Sequence, residues 1–181
     1  MAKYLQINKC SLADGPGVRV SLYMSGCRNG CPGCHNPESW DFTKGTEFDD
    51  FTVAEILDLL NSEYISGLTI CGGEPMEPEN QVVLANLVWW VKEKYPTKTI
   101  WCYTGYEFSD LVKGGRKHCE YTDMLLDDID VLVVGRFVID QRDITKDNLW
   151  RGSRNQRVID VQKSLAANHA VPVDNIPNNE I

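Results

Sequence analysis

The chain has 181 residues, of which 43% are hydrophobic and 24% are charged, as expected for one globular domain. Its formal net charge of −8 argues against a nucleic-acid groove, because binding to phosphates requires clustered Lys and Arg. The longest apolar runs are far shorter than the roughly 20 residues of a membrane span, and the first residues lack the apolar stretch of a secretory signal. We therefore expect a cytosolic (cytoplasmic) protein that binds neither nucleic acid nor a membrane.

Predicted strands and helices alternate along the chain. Apolar and β-branched runs predict strands over residues 18–24, 67–71, 99–103, 130–134 and 157–161. Capping residues and helical apolar spacing predict helices starting at a capping box over 52–55, over 79–95, and from about 106 to 114–115.

This alternation predicts a parallel α/β sheet built from right-handed crossovers. Because five or six strands are too few to close an eight-stranded barrel, we expect a partial, open parallel (β/α) barrel. Residues 1–165 are expected to form this single domain. The polar segment 166–181, which contains Pro172 and Pro177, is expected to be a mobile tail unless a partner holds it.

Four of the predicted strands lead into glycine-rich or polar loops. The sequences of these loops are SGCRNGCPGC, GGEP, TGY and GRF. Ligands of parallel α/β sheets bind at the carboxyl ends of the strands. The four loops therefore predict a ligand site at one rim of the sheet.

Three of the seven cysteines lie in the first of these loops. Cys27, Cys31 and Cys34 have the spacing C-x3-C-x2-C, and thiolates suit iron–sulfur clusters or zinc. In a reducing compartment, metal binding is favoured over disulfides. A [4Fe–4S] cluster and a structural zinc each need four ligands. The fourth position is then open to an external molecule or, in the zinc alternative, to His35 or to one of the cysteines at positions 10, 71, 102 and 119.

The cysteine loop, followed by Gly72-Gly-Glu-Pro75, resembles the radical S-adenosylmethionine superfamily. In that superfamily the three cysteines bind three irons of a [4Fe–4S] cluster, and the amino and carboxylate groups of S-adenosylmethionine bind the fourth. The resemblance implies that the ammonium of the cosubstrate lies near Glu74 and the backbone oxygens of its loop. The candidate cosubstrate contacts are Gly33, Cys34, His35, Gly72, Gly73, Glu74 and Thr104, and the implied metal ligands are Cys27, Cys31 and Cys34. Gly33 stands where many members have an aromatic residue, and His35 is a candidate to replace it.

Longer segments narrow the resemblance to one family of glycyl-radical-enzyme activases. These segments, between residues 13 and 161, are DGPGVR, SGCRNGCPGCHNPESWDF, ICGGEP, WCYTGY, DVLVVGRFV and WRGSRNQRVIDV. Together they resemble the activating proteins of anaerobic ribonucleotide reductase. Val134 is a departure, because an acidic residue is more usual there.

The resemblance implies an enzyme, a radical S-adenosylmethionine oxidoreductase. A flavodoxin-type donor would reduce the cluster, and the 5′-deoxyadenosyl radical would take a hydrogen atom from a glycine of the reductase's large subunit. Two alternatives stay open: activation of another glycyl-radical enzyme such as pyruvate formate-lyase, and a non-catalytic iron–sulfur or zinc module.

Two arginines near these motifs have open roles. Arg136 is a candidate to bind a ribose or a carboxylate, or it serves the surface. Arg28 could steer an acidic flavodoxin, although an isolated Arg is usually a solvated loop residue. The cysteines outside the cluster loop are interpreted as small buried hydrophobic residues or spare thiols.

Overall fold

The structure, a computed structural model, describes residues 1–145 and 149–174. These residues form one mixed α/β sheet of eight strands with five α-helices. The strands are β1 (Lys3–Ser11), β2 (Val18–Met24), β3 (Thr46–Glu47), β4 (Ile65–Gly72), β5 (Thr99–Thr104), β6 (Val131–Val134), β7 (Arg157–Asp160) and β8 (Val171–Pro172). The helices are α1 (Asp50–Leu60), α2 (Pro78–Lys94), α3 (Phe108–Leu111), α4 (Thr122–Asp128) and α5 (Val161–Ala167).

The four central strands of the sheet are parallel. The strand order is β3-β1-β2-β4-β5-β6-β7-β8, in which β2, β4, β5 and β6 run in the same direction. The register pairs Met24 with Gly72 and Thr104 with Val134, so these strands end at the same edge. This alignment brings together the four loops that the sequence predicts to form a ligand site.

The outer strands correct the prediction of an all-parallel sheet. β7 pairs antiparallel with β6, and β8 pairs antiparallel with β7. On the other side, the unpredicted strand β1 pairs antiparallel with β2. Polar residues interrupt the apolar residues of β1, and most of its side chains are only half-buried, which weakens the strand pattern. Among the described residues the sheet ends at β3 and β8 and is open, and its barrel-like curvature stays a prediction.

The helices confirm the predicted alternation but differ in their ends. α1 begins before the predicted box over 52–55 because Asp49 caps it, accepting a hydrogen bond from Thr52 N at 2.9 Å. α3 has only four residues and ends at Leu111, short of the predicted 114–115. The sequence did not predict α4 and α5, whose seven residues each are too few to show a helical period. No helix in the described ranges is long and apolar enough to cross a bilayer.

Part of the segment predicted as a tail belongs to the folded domain. The predicted boundary at residue 165 falls within α5, and β8 pairs with β7. Lys163 Nζ also donates a hydrogen bond to Asp174 Oδ2 at 3.1 Å. Residues 166–174 are therefore placed by the sheet and by α5, and the remainder of the predicted tail, 175–181, lies outside the described residues.

The core lies between the parallel strands and α2. Its fully buried apolar side chains include Leu22, Ile70, Ile100, Leu132, Leu84, Leu87, Val88 and Val91. Burial of each such side chain stabilises the fold by about 1.5–3 kcal/mol. Trp101 joins the buried residues, whereas Trp89 and Trp90 remain partly exposed on α2. This packing holds the carboxyl ends of the strands in fixed positions beneath the loops.

Candidate iron–sulfur and cosubstrate site

A cavity of about 310 Å³ opens at the carboxyl ends of the parallel strands. Small-molecule sites in proteins typically measure roughly 300–1,000 Å³. The predicted site residues that line the cavity are Cys27, Cys31, Cys34, His35, Gly72, Gly73, Glu74 and Thr104. Gly33 is not among the lining residues and packs against Ile139 instead. The structure therefore brings together all the predicted site residues except Gly33.

Backbone hydrogen bonds join the cysteine loop, residues 25–34, to the loop after β4. Glu74 N donates to Gly26 O of this loop, and Gly73 N donates to Met24 O at the end of β2, both at 2.8 Å. A Cβ atom at Gly73 would lie 2.7 Å from Gly26 O, closer than real Cβ atoms come. Glycine at this position therefore permits the close approach of the two loops.

The three clustered cysteines present free thiols to the cavity. Burial raises the pKa of the Cys27 thiol to about 11, so a metal that binds there must displace the thiol proton. Across residues 1–145 and 149–174, no three His, Cys, Asp or Glu side chains converge to hold a single metal ion. Soft thiol donors spread around one cavity fit an iron–sulfur cluster, which is held by thiolates bound to separate irons.

Glu74 is almost fully buried and joins three loops. Its Oε1 accepts hydrogen bonds from Thr104 Oγ1 at 2.7 Å and Met76 N at 2.9 Å. Its Oε2 accepts from Asn29 Nδ2 and Gly105 N, both at 2.7 Å. These donors occupy the four acceptor positions of a carboxylate. Burial raises the pKa of Glu74 to about 7 despite these bonds.

Glu77, which the sequence interpretation missed, makes a second connection of this kind. Its buried carboxylate accepts hydrogen bonds from Arg28 N at 3.0 Å and from the Arg28 guanidinium at 2.8 Å. Tyr106 OH and Lys117 Nζ each donate to it at 2.8 Å. Although burial alone would raise it, these hydrogen bonds keep the pKa of Glu77 below its usual value. Arg28 is therefore not a freely solvated loop residue, because Glu77 accepts hydrogen bonds from both its backbone N–H and its guanidinium.

Asn80 of α2 is a further anchor that the sequence interpretation missed. This buried side chain donates through Nδ2 to Ser25 O and to Glu74 O, both at 2.9 Å. Glu77 and Asn80 are three residues apart, a spacing that places them on one face of the helix start. Polar residues at this spacing, directly after the GGEP motif, were the available signal for both.

The two departures from the family pattern have different surroundings. Near Gly33, the ring of Phe137 from the loop after β6 lines the cavity and contacts the exposed His35 ring edge-to-face, with centroids 5.3 Å apart. The fold thus supplies an aromatic side chain to this wall from a distant part of the chain. Val134 is fully buried in the core and is not a lining residue of the cavity.

The remaining cysteines have unequal surroundings. Cys71 and Cys102 are buried, and burial raises the pKa of each thiol well above its usual value. Cys10 is exposed and Cys119 is half-buried, so of the two expected roles Cys10 fits that of a spare thiol and not that of a buried hydrophobic residue. Of these four cysteines, Cys71 alone is among the residues that line the cavity. A fourth protein ligand, as the zinc alternative requires, would have to come from Cys71 or His35.

Comparison with known proteins defines the class to which this fold and site belong. Residues 13–159 match the family model described as "4Fe-4S single cluster domain". The matched region includes the cysteine loop, all four parallel strands and the loops around the cavity. An iron–sulfur cluster is thus the cofactor of the family whose pattern this chain follows.

Individual relatives narrow the class further. The anaerobic ribonucleoside-triphosphate reductase-activating protein of Enterobacteria phage T4 is 39% identical over 155 residues, which cover 86% of this chain and 92% of the relative. The proteins of the same name from Haemophilus influenzae and Escherichia coli K12 are 39% and 35% identical, over 84% and 86% of this chain and 94% and 96% of their own lengths. The chain belongs to the family of anaerobic ribonucleoside-triphosphate reductase-activating proteins and contains the 4Fe-4S single cluster domain.

Proposed function

We propose that this protein activates the large subunit of an anaerobic ribonucleoside-triphosphate reductase by generating a glycyl radical on it. When bound, a [4Fe–4S] cluster would supply the electron that cleaves S-adenosylmethionine into methionine and a 5′-deoxyadenosyl radical, which takes a hydrogen atom from the glycine. The protein would then be an enzyme, a radical S-adenosylmethionine oxidoreductase. It would act in the cytoplasm with a flavodoxin-type electron donor.

The observation that carries the proposal is the shared cavity of the three free thiols and the GGEP loop. Cys27, Cys31 and Cys34 are soft donors, and we assign them as the metal ligands. Three protein ligands leave one iron of a cube for an external molecule. The cavity extends from the thiols to Thr104, which leaves room for a small cosubstrate beside the cluster.

The polar groups of the chain would orient the site and exclude water from it. Because the carboxylate of Glu74 already accepts four hydrogen bonds, its role is to hold three loops around the cosubstrate. Contacts to the cosubstrate would then come from the lining residues Cys34, His35, Gly72, Gly73 and Thr104. Gly33, away from the cavity wall, would act through the conformation of the loop.

The decisive experiment is an anaerobic activation assay. The reconstituted protein, a one-electron reductant and S-adenosylmethionine are mixed with the reductase large subunit, and the glycyl radical is detected by electron paramagnetic resonance. A doublet signal that requires S-adenosylmethionine is expected. Replacing the reductase with pyruvate formate-lyase tests the nearest alternative. A glycyl-radical signal with the lyase but not with the reductase would contradict the proposed partner.

A spectroscopic experiment separates the enzyme from a non-catalytic metal module. Anaerobically prepared protein is expected to be brown, and the spectrum of the reduced cluster is expected to change when S-adenosylmethionine is added. Colourless protein with bound zinc would contradict the proposal, as would a cluster spectrum that S-adenosylmethionine leaves unchanged.

A further inference from the structure

Arg136, in the loop after β6, contacts the backbone of the cysteine loop. Its Nη2 donates to Asn29 O and, at 3.3 Å, to Gly30 O. Both carbonyls belong to the three-residue spacer between Cys27 and Cys31. Arg136 therefore contacts the cysteine loop itself through Nη2.

The segment 152–156 holds the backbone that carries Arg136. Asn155 Nδ2 donates to Arg136 O at 2.8 Å, and Gln156 Nε2 donates to Gly135 O at 2.8 Å. Gln156 is itself oriented, because its Oε1 accepts from Gly152 N at 2.8 Å and from the next backbone N at 3.1 Å. These bonds form a continuous path from the RGSRNQR motif to the cysteine loop.

The charge of Arg136 differs from that of its basic neighbours. Arg28 and Lys117 both pair with Glu77, and Arg116 pairs with Asp110. Within residues 1–145 and 149–174, the hydrogen bonds of the Arg136 guanidinium go to carbonyl oxygens, and no carboxylate forms an ion pair with it. A positive charge without a paired carboxylate among the described residues thus lies against the spacer between Cys27 and Cys31, two of the three clustered thiols.

We propose that Arg136 is a positioning residue for the iron–sulfur cluster, held in place by Asn155 and Gln156. It fixes the conformation of the spacer between Cys27 and Cys31 by donating hydrogen bonds to two of its carbonyl oxygens. Its positive charge raises the reduction potential of the cluster. Reduction adds one electron to the cluster, so a nearby positive charge favours the reduced form. This inference rests on the part of the proposed function that assigns the cluster to these cysteines.

The electrostatic part is tested by redox titration of the reconstituted protein without S-adenosylmethionine or a partner. Arg136→Gln is expected to lower the reduction potential, and Arg136→Lys, which keeps the charge, is expected to retain most of the wild-type value. Arg154→Gln is the matched control: it removes the same charge from the adjoining RGSRNQR motif, where the exposed Arg154 lies near Asp143 instead of the cysteine loop. Equal potentials in Arg136→Gln and wild type, or an equal fall in Arg154→Gln, would overturn the proposal.

The positioning part is tested on the metal-free protein by hydrogen exchange of the amides of residues 28–31. Loss of a hydrogen-bonded cap is expected to speed their exchange about fivefold in Arg136→Gln and Asn155→Ala, but not in Arg154→Gln. Unchanged exchange in both variants would refute the positioning role. Because this measurement needs neither cluster nor cosubstrate, it gives a result even if the proposed function fails in the activation assay.

Discussion

The two ends of the parallel strands both contain buried charged side chains but use them differently. At the amino ends, the fully buried Arg19 donates to Leu68 O at 2.7 Å and Thr99 O at 2.8 Å. Burial lowers the pKa of its guanidinium to about 10. At the carboxyl ends, the buried charged residues are acids, Glu74 and Glu77, and they accept hydrogen bonds mainly from loop residues.

The sign of the charge explains what each end can do. A guanidinium offers five donors, which suit the carbonyl oxygens of neighbouring strands. Arg19 therefore has a structural role and links the strands at their amino ends by hydrogen bonds. A carboxylate offers four acceptor positions and suits the N–H groups of loops that must curve around a site. At the carboxyl end the Glu74 carboxylate accepts four hydrogen bonds from the protein. The three free thiols face the cavity. At this edge of the sheet the acids thus hold the loops in place, whereas the thiols are the groups available to bind a cofactor.

The largest expected effect concerns these thiols. If the proposed ligands are correct, Cys27→Ala, Cys31→Ala and Cys34→Ala should each abolish formation of 5′-deoxyadenosine from S-adenosylmethionine under anaerobic reducing conditions, because each removes one of the three proposed cluster ligands. Cys119→Ala is the matched control and should retain most activity, since its thiol contacts Gln81 outside the cavity. A control variant as inactive as the other three would mean that the cluster has a fourth protein ligand.

The next effect tests the anchoring role of the buried acids. Glu77→Ala should lower the free energy of unfolding of the metal-free protein by about 3–5 kcal/mol in urea denaturation, because it leaves Lys117 and Arg28 without their buried partner. Glu79→Ala removes only the exposed partner of Arg28, with side chains 51% and 47% exposed, and should cost less than about 1 kcal/mol. Equal losses of the free energy of unfolding in the two variants would show that Glu77 contributes no more to stability than the exposed Glu79.

A comparable change at the amino end should affect stability without affecting the site. Arg19→Met removes the guanidinium donors of the Leu68 and Thr99 carbonyls, and we expect a loss of about 3 kcal/mol in the free energy of unfolding. The iron content of the folded, reconstituted protein should stay at the wild-type level. A parallel loss of iron would show that the two ends of the strands are coupled.

The smallest expected effect is a pH dependence from Glu74. Its pKa of about 7 in the folded protein lies above the ordinary value of 4.5, so the folded state binds the proton more tightly than the unfolded state. Stability should therefore fall as the pH rises from 5 to 7.5, by about 2 kcal/mol. Urea denaturation of wild type and Glu74→Gln checks this, because the variant should lack this part of the dependence. Parallel pH profiles would contradict the raised pKa.

Local patterns in the sequence were sufficient to predict the central fold and the motifs that meet at the candidate site. The strands β2, β4, β5 and β6 and the helix α2 follow from runs and periodicities within each segment. The spacing of Cys27, Cys31 and Cys34 is equally local, and so is the GGEP turn. Parallel strands that end at one edge then bring these motifs together without further information.

Contacts between distant parts of the chain account for what the sequence interpretation missed. The carboxylate of Glu77 reaches residues 49, 29 and 40 positions away, and Arg136 binds a loop more than 100 positions away. The antiparallel direction of β7 likewise depends on how the chain returns after β6. A periodicity reports only which face of a segment is buried, whereas the partner of a buried charge depends on how segments pack. The thiols were therefore predictable from the sequence, and the hydrogen bonds that hold their loop required the folded structure.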